Sequence, residues 1–297
     1  MWQAEYVAAK LLEKSIQTEL VPLVSRGDVD MRPIDNTRQV GLFTKRIQQA
    51  LVLDEADIAV HSLKDLPTEA DERFTLAAVP VREVVQDCLV SNIAEKIDDL
   101  PNGATIGTGS CRRAAQLLRQ RPDLNVQPIR GNVQTRLSKL ESGEFDAIIL
   151  AQAGLLRLQM HDVPATPIEL KFMLPAPGQG ALGIEVRSDD SAALEIASLL
   201  NHIDTQAAVV AERTLLANLN GGCLAPIAAY AQVIDGSLSL RSRVLSADGK
   251  DQLEESGEVE IGEGDDIVQL AIQLANDVSK TLSDQGARKL IQHTRDQ

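Results

Sequence analysis

Basic and hydroxyl side chains cluster around two strand-to-helix turns in the middle of the chain. They are Thr108, Ser110, Arg112, Arg113, Arg130 and Arg136. A helix N-terminus presents unpaired backbone N–H groups and a favourable dipole to an anion, and arginine adds paired donors that fit a carboxylate. Between residues 108 and 157, eight basic residues stand against four acidic ones, although the whole chain has a net charge of −14. This pattern predicts a local cationic cleft for a polycarboxylate or a phosphate, and it does not choose between the two.

Surface solubility is the competing explanation for these basic residues. We favour that explanation for Arg119, Arg121 and Lys139, which lie away from the two turns. The sequence around the turns contains neither a P-loop nor a GxGxxG motif, so nothing in it points to a nucleotide.

A second polar cluster runs from His61 to Pro67, directly after an apolar run that predicts a buried strand over Ala56–Val60. Proteins of the α/β class place their working groups at the carboxyl ends of such strands. In that position Asp65 can stabilise a developing cation or transfer a proton, and Lys64 beside it favours its ionised form. A turn cap before the proline explains Asp65 equally well. We expect His61 to be a packed residue rather than a catalyst.

The third candidate is Cys223, which follows Gly221-Gly222 and precedes Pro226. A thiol on such a loop is open to a partner, whereas a core cysteine is usually found inside an apolar element. No histidine lies near it in sequence to act as a base, so a Cys-His hydrolase is unsupported. Covalent attachment of a cofactor explains an accessible Cys223 with fewer assumptions than a hydrolase does.

Proline and glycine are dense in the segment Leu174–Ala181 (LPAPGQGA). Such density marks a crossover or a hinge between domains. A simple connection and direct contact with substrate are equally good explanations of this segment.

Composition narrows the class of protein. The chain has 297 residues, 43 acidic against 29 basic, and seven aromatic residues, so general nucleic-acid binding is disfavoured. The three cysteines, Cys88, Cys111 and Cys223, form neither a disulfide framework nor a zinc motif, and we expect no metal. No apolar run is long enough to span a bilayer, and residues 1–5 resemble no signal peptide. We therefore expect a cytoplasmic protein that binds neither nucleic acid nor membrane.

Alternating strands and helices are predicted for the first 200 residues, which indicates α/β architecture. The predicted strands are 19–25, 56–60, 74–79, 104–107, 126–129, 146–150 and 181–186, with a helix at 42–53. The pattern then changes to a helix over 207–219, a hairpin over 225–246 that turns at Asp235-Gly236, and an amphipathic helix over 265–282. This last part predicts a small α+β domain, with ten acidic and three basic residues between 235 and 266.

Taken in order, these segments resemble the porphobilinogen deaminase (hydroxymethylbilane synthase) family over nearly the whole chain. The motifs that carry the resemblance are WQAEYV, RGD, GLFTK, ADIAVHSLKDLP, GTGSCRR, RGNVQTRLSKL, DAIILAQAGLLRL, LPAPGQGALGIE and GGCLAP. The resemblance implies a transferase of tetrapyrrole biosynthesis that joins four porphobilinogen molecules head to tail, with loss of ammonia, and releases hydroxymethylbilane.

The resemblance also implies a role for each candidate residue. Cys223 would form a thioether to a dipyrromethane cofactor, and Asp65 would stabilise positive charge on pyrrole nitrogens and assist proton transfer. Further residues would grip the acetate and propionate groups of cofactor and substrate: Ser62, Lys64, Thr108, Ser110, Arg112, Arg113, Arg130 and Arg136. Arg157 would contact the substrate.

The fold implied by the resemblance is two periplasmic-binding-protein-like α/β domains plus a small α+β C-terminal domain. The expected boundaries are 1–80 with 181–199 for the first, discontinuous domain, 81–180 for the second and 200–297 for the third. We expect a monomer.

Two departures from the family pattern stand out. The family has a first strand, with an Arg and a Ser that contact substrate, before the Trp-Gln motif, whereas here Met1 directly precedes Trp2. Ile34–Val40 (IDNTRQV) also replaces a glycine- and lysine-containing loop that covers the site.

The missing first strand leaves an alternative function open, that of a catalytically impaired, two-lobed binding protein for a polycarboxylate. A secreted solute receptor is disfavoured.

Overall fold

Three separate sheets organise the molecule. The computed structural model describes residues 1–23, 44–69, 71–221 and 225–295, with side chains described as far as residue 292. Two sheets belong to mixed α/β units and the third to a small α+β unit at the C-terminal end. The predicted fold class is confirmed.

The first sheet has three strands in the order β1-β8-β2, all antiparallel to their neighbours. The strands are β1 (Ile58–Ser62), β2 (Phe74–Ala78) and β8 (Leu182–Arg187). The helices of this unit are α1 (Trp2–Leu12), α2 (Thr44–Val52) and α6 (Ser191–Ser198). Val7 and Leu11 on α1 pack with Ile184 and Val186 of the central strand, which joins helix and sheet in one core.

The second sheet has five strands in the order β5-β4-β6-β3-β7. The strands are β3 (Asp87–Val90), β4 (Thr105–Gly107), β5 (Asn125–Gln127), β6 (Ala147–Ala151) and β7 (Ala165–Pro167). The helices are α3 (Cys111–Gln120), α4 (Val133–Glu141) and α5 (Gln152–Arg157). Because β4, β5 and β6 are parallel, their carboxyl ends share one edge of the sheet. The antiparallel β3 begins at that same edge, where Asp87 pairs with Ala151.

The third sheet has three antiparallel strands in the order β11-β10-β9. They are β9 (Ile227–Ile234), β10 (Ser237–Leu245) and β11 (Gln252–Glu260), and the helices are α7 (Ile203–Asn218), α8 (Ile267–Asp284) and α9 (Ala287–Arg295). The predicted hairpin is confirmed: Asp235 (φ 50°) and Gly236 (φ 78°) both adopt the left-handed backbone that a two-residue hairpin turn requires.

The predicted strand at 19–25 is wrong for residues 19–23, and residues 24 and 25 lie outside the described part of the chain. Leu20 and Val21 are exposed and pair with no strand that the structure describes, so their apolar character stabilises no sheet. We propose that each sheet marks one domain, with the boundaries predicted above.

Candidate functional site

The two arginine-bearing turns lie at the carboxyl edge of the second sheet. Ser110 caps α3, its side chain accepting a hydrogen bond from the Arg113 backbone N–H at 3.5 Å, and the Thr108 hydroxyl accepts from the Ser110 N–H at 3.2 Å. Asn132 caps α4 in the same way through the Thr135 N–H at 2.9 Å. The predicted strand–turn–helix arrangement is therefore present twice, on neighbouring strands.

Asp87 holds the two arginines of the first turn together. Its Oδ2 accepts from Arg112 Nη1 at 2.7 Å, and its Oδ1 accepts from Arg113 Nε at 3.0 Å and Nη2 at 2.7 Å. Gln179 lies in the segment Leu174–Ala181, called the hinge segment below, and its Nε2 is the fourth donor to the carboxylate, at 2.8 Å from Oδ1. Burial alone would raise the pKa of this carboxyl, but the two guanidinium groups outweigh it and hold that pKa well below its usual range.

Arg112 has an unused donor at this buried site. The residue is 3% exposed, and its Nη1 donates to Asp87 and to the Leu174 carbonyl at 2.6 Å. Within the described residues its Nε, also buried, has no hydrogen-bond partner. Because a buried polar group without a partner costs free energy, a ligand oxygen at this position would be stabilised.

The second pair of predicted arginines adjoins the first. Arg136 is half-buried and donates from Nε to the Gly131 carbonyl at 2.8 Å. Burial lowers its pKa, and the positive charges of Arg113 and Arg130 lower it further. The structure therefore brings Arg112, Arg113, Arg130 and Arg136 into one cationic cluster.

The predicted polar cluster 61–67 begins at the end of β1 in the first sheet. A short 3₁₀ helix, Leu63–Asp65, follows β1, with Asp65 exposed and Lys64 half-buried. Burial lowers the pKa of Lys64 to about 8; Asp65 and Asp87 oppose that change, and Arg113 and Arg112 add to it. The pKa of Lys64 therefore depends on the charges of both the candidate acid and the two arginines that bind Asp87. The Ser62 hydroxyl, in contrast, accepts from Gln3 Nε2 at 2.6 Å.

A residue of the third sheet's unit holds the Asp65 segment in place. Arg213, on α7, donates from Nη1 to the carbonyls of Leu63 and Leu66, at 3.1 and 2.8 Å, and from Nη2 to that of Pro67 at 2.7 Å. Three carbonyls, one before Asp65 and two after it, accept from a single guanidinium, which fixes the backbone on both sides of Asp65.

Within the described part of the chain, Arg157 contacts none of the other candidate arginines. It donates from Nη2 to the Gly180 carbonyl at 2.7 Å, and its guanidinium carbon lies 5.7 Å from the centre of the Trp2 ring. It therefore joins α5 to the hinge segment and to the start of the chain.

Cys223 and its neighbours at 222 and 224 lie outside the described residues, as do the segments RGD and Ile34–Val40. On one flank, the Gly221 N–H donates to the Leu216 carbonyl at 2.8 Å, and a Cβ built at Gly221 would lie 2.3 Å from a Leu216 methyl carbon. A side chain at this position would have to displace that Leu216 methyl group.

Four residues that hold site segments in position were missed by sequence reasoning: Asp87, Gln179, Arg213 and Glu212, whose Oε2 accepts from the Gly178 N–H at 2.7 Å. The sequence contains one indication of the role of Asp87: it is an acid directly before the short apolar run Cys88–Val90. An acid in such a buried position is rarely found without a cation as its partner. The other three carry no such signal, because their partners are distant in sequence.

Two family models match the chain over most of its length. "Porphobilinogen deaminase, dipyromethane cofactor binding domain" matches residues 1–195, and "Porphobilinogen deaminase, C-terminal domain" matches residues 206–282. The chain belongs to the porphobilinogen deaminase family, whose members are transferases of tetrapyrrole biosynthesis. The expected dipyrromethane cofactor is confirmed at the level of the family domain.

Solved structures with a similar course of the chain include two binding proteins and a VFT2 domain. A candidate methionine-binding lipoprotein from Bacillus subtilis is 17% identical, with a TM-score of 0.43, covering 67% of this chain and 84% of its own. The arginine-specific periplasmic binding protein of Salmonella typhimurium is 14% identical, with a TM-score of 0.40, covering 67% and 80%. The BvgS VFT2 domain of Bordetella pertussis is 14% identical, with a TM-score of 0.39, covering 66% and 76%.

Helices that could cross a membrane are absent from the residues that the structure describes.

Proposed function

We propose that this protein is a hydroxymethylbilane synthase: it joins four porphobilinogen molecules head to tail, with loss of ammonia, and releases the linear tetrapyrrole hydroxymethylbilane. The observation that carries the proposal is the cationic cluster of Arg112, Arg113, Arg130 and Arg136 beside Lys64 and Asp65. Porphobilinogen brings two carboxylates with each unit, so a growing chain needs several fixed cations.

The described residues fit a dipyrromethane cofactor. Its acetate and propionate groups are carboxylates, and the unpartnered Arg112 Nε supplies a buried donor for one of them. Other groups of the cofactor would be held by Arg113, Arg130, Arg136, Lys64, Ser62, Thr108 and Ser110. When bound through Cys223, the cofactor supplies the pyrrole end to which substrate units are added.

Asp65 is the proposed catalytic residue. Its exposed carboxylate stabilises the positive charge that develops on a substrate pyrrole nitrogen, and it accepts or returns a proton there. Arg213 holds the Asp65 segment so that this carboxylate keeps its place. Arg157 binds substrate, and the protein is cytoplasmic and monomeric.

Intact-mass measurement tests the cofactor assignment. Purified protein is expected to carry an adduct of two pyrrole units, and the adduct should be absent in Cys223→Ser and retained in Cys111→Ser. An active wild-type protein of unmodified mass would refute the assignment.

Turnover of porphobilinogen tests the reaction. Asp65→Ala should abolish product formation while leaving the adduct and the unfolding midpoint unchanged, whereas Glu69→Ala, on the same exposed segment, should remain active. Tight binding of porphobilinogen by wild type without turnover would favour the binding-protein alternative instead.

A further inference from the structure

Arg243 is a buried arginine of the C-terminal unit that points at the arginine helix of the second domain. It lies on β10 and is 7% exposed. Its Nη1 donates to Gln116 Oε1 at 2.9 Å and to the Phe172 carbonyl at 3.1 Å, and its Nη2 donates to the Lys171 carbonyl at 3.2 Å. Glu254 on β11 accepts from its Nε. One guanidinium therefore connects the third sheet to α3 and to the segment before the hinge.

Gln116 passes this contact on to the backbone of Leu174. The Gln116 side chain is 1% exposed; its Oε1 accepts from the Leu174 N–H at 2.9 Å, and its Nε2 donates to the Leu174 carbonyl at 3.0 Å. A cation can only donate, so Arg243 keeps the amide oxygen of Gln116 turned towards itself and towards the Leu174 N–H. With the amide in that orientation, its NH₂ group faces the Leu174 carbonyl.

The Leu174 carbonyl in turn holds Arg112. Its oxygen accepts from Arg112 Nη1 at 2.6 Å, and the only other recorded acceptor for this guanidinium among the described residues is Asp87. A shift of Leu174 therefore changes the position of Arg112, whose free Nε we assigned to a ligand carboxylate.

We propose that Arg243 is a positioning residue for Arg112, acting through the Gln116 amide and the Leu174 carbonyl. It makes the third domain, which carries Cys223, set the geometry of the carboxylate-binding helix in the second domain. The inference deepens the proposed function and rests on it for its kinetic consequence, while its structural consequence is independent of activity.

Amide hydrogen exchange of the full-length holoenzyme tests the structural part. In Arg243→Met, the Leu174 N–H and the first turn of α3 should exchange about tenfold faster than in wild type. Arg119→Met is the matched control. Arg119 lies on α3 and also joins α3 to the third sheet's unit, donating from Nη1 to the Lys250 carbonyl at 2.7 Å. It is exposed, and within the described residues it has no recorded contact with Leu174. Arg119→Met should leave these amides unchanged.

Steady-state kinetics test the functional part. The KM for porphobilinogen should rise about threefold to tenfold in Arg243→Met, with kcat within about twofold of wild type. Arg243→Lys, which keeps a cation able to reach one acceptor, should recover part of the loss, and Arg119→Met should match wild type.

Unchanged exchange at Leu174 in Arg243→Met, or equal changes in Arg119→Met, would overturn the proposal. A fall in kcat with an unchanged KM would also contradict it, because that result would place Arg243 outside ligand positioning. If wild type fails to turn over porphobilinogen, the proposed function fails, and the exchange measurement still decides whether Arg243 positions α3.

Discussion

Asp87 turns two buried arginines into a fixed pair. Each guanidinium would be too costly to bury alone, but the carboxylate compensates one of the two charges and orients both groups. The site keeps a net positive charge for ligand carboxylates while its geometry is set before binding. Without Asp87, the buried guanidinium groups of Arg112 and Arg113 would repel each other and would lose the acceptor that orients them both.

Replacing Asp87 with Asn should lower the free energy of unfolding by about 3–5 kcal/mol, because two buried cations lose their counter-charge. Denaturant unfolding at pH 7 measures this. Asp123→Asn, which breaks the surface pair with Arg121, should have little effect. Equal losses in the two variants would contradict the argument.

The same pair gives wild type a defined acid sensitivity. Because the pKa of Asp87 is lowered in the folded protein, its stabilisation is present above the unfolded pKa of about 4 and is lost as pH falls below that value. Asp87→Asn should flatten the fall of stability below about pH 4.

Lys64 should give the proposed active site a pH dependence in the alkaline range. With its pKa lowered to about 8, it is cationic below that pH and neutral above it, so carboxylate binding should weaken as pH rises. We expect kcat/KM for porphobilinogen to fall above about pH 8, and this limb to disappear in Lys64→Gln and to move to higher pH in Lys64→Arg. An unchanged profile in Lys64→Gln would show that another group titrates there.

At the scale of elements, the hinge segment is a polar junction rather than a simple connection. The Gln179 side chain reaches Asp87, the Gly178 N–H donates to Glu212 Oε2 at 2.7 Å, and the Gly180 carbonyl accepts from Arg157. Each of these contacts needs the backbone to pass close to its neighbours, which explains the glycines. Substrate contact by this segment stays a prediction.

Gly180 tests that explanation. Its φ is +83°, and an added Cβ would lie 2.5 Å from the Glu83 carbonyl oxygen, so Gly180→Ala combines backbone strain with a clash. Gly143 has a φ of +76° but no described atom within 4 Å of such a Cβ. Gly143→Ala should cost about 1–2 kcal/mol from strain alone, and Gly180→Ala at least about 2 kcal/mol more. Denaturant midpoints of the two variants decide this, and equal midpoints would refute the packing argument.

At the scale of the whole molecule, Glu212 joins the three units. It is fully buried on α7 and accepts from Arg82 through both oxygens, at 2.7 and 2.9 Å, and from the Ala231 N–H on β9 at 2.8 Å. Together with its bond to the hinge, this carboxylate ties the connection between the first two sheets to the third. Unfolding of one unit must break contacts in the others.

Glu212→Gln should therefore reduce both stability and cooperativity. Loss of the buried charge leaves Arg82 unpaired, at a cost of about 3–5 kcal/mol, and calorimetry should resolve a separate transition for the C-terminal unit where wild type shows one. Glu55→Gln, which breaks the exposed pair with Arg46, serves as the control and should keep a single transition. A single, unshifted transition in Glu212→Gln would contradict this account.

The sequence by itself determined the fold class, the two strand–turn–helix arginine turns and the hairpin at Asp235-Gly236, because each depends on local patterns of apolar spacing, capping and turn residues. It failed at 19–23, where an apolar run has no neighbouring strand among the described residues. It missed β3, whose partners β6 and β7 lie far along the chain, and β11, in which four of the nine residues are glutamate. Only the tertiary structure decided that Asp87 pairs both arginines, that Arg213 holds the Asp65 segment and that Arg243 reaches Gln116. The physical reason is the same for all three: a buried charge is placed by partners far away in sequence, and no local pattern records which partner it will find.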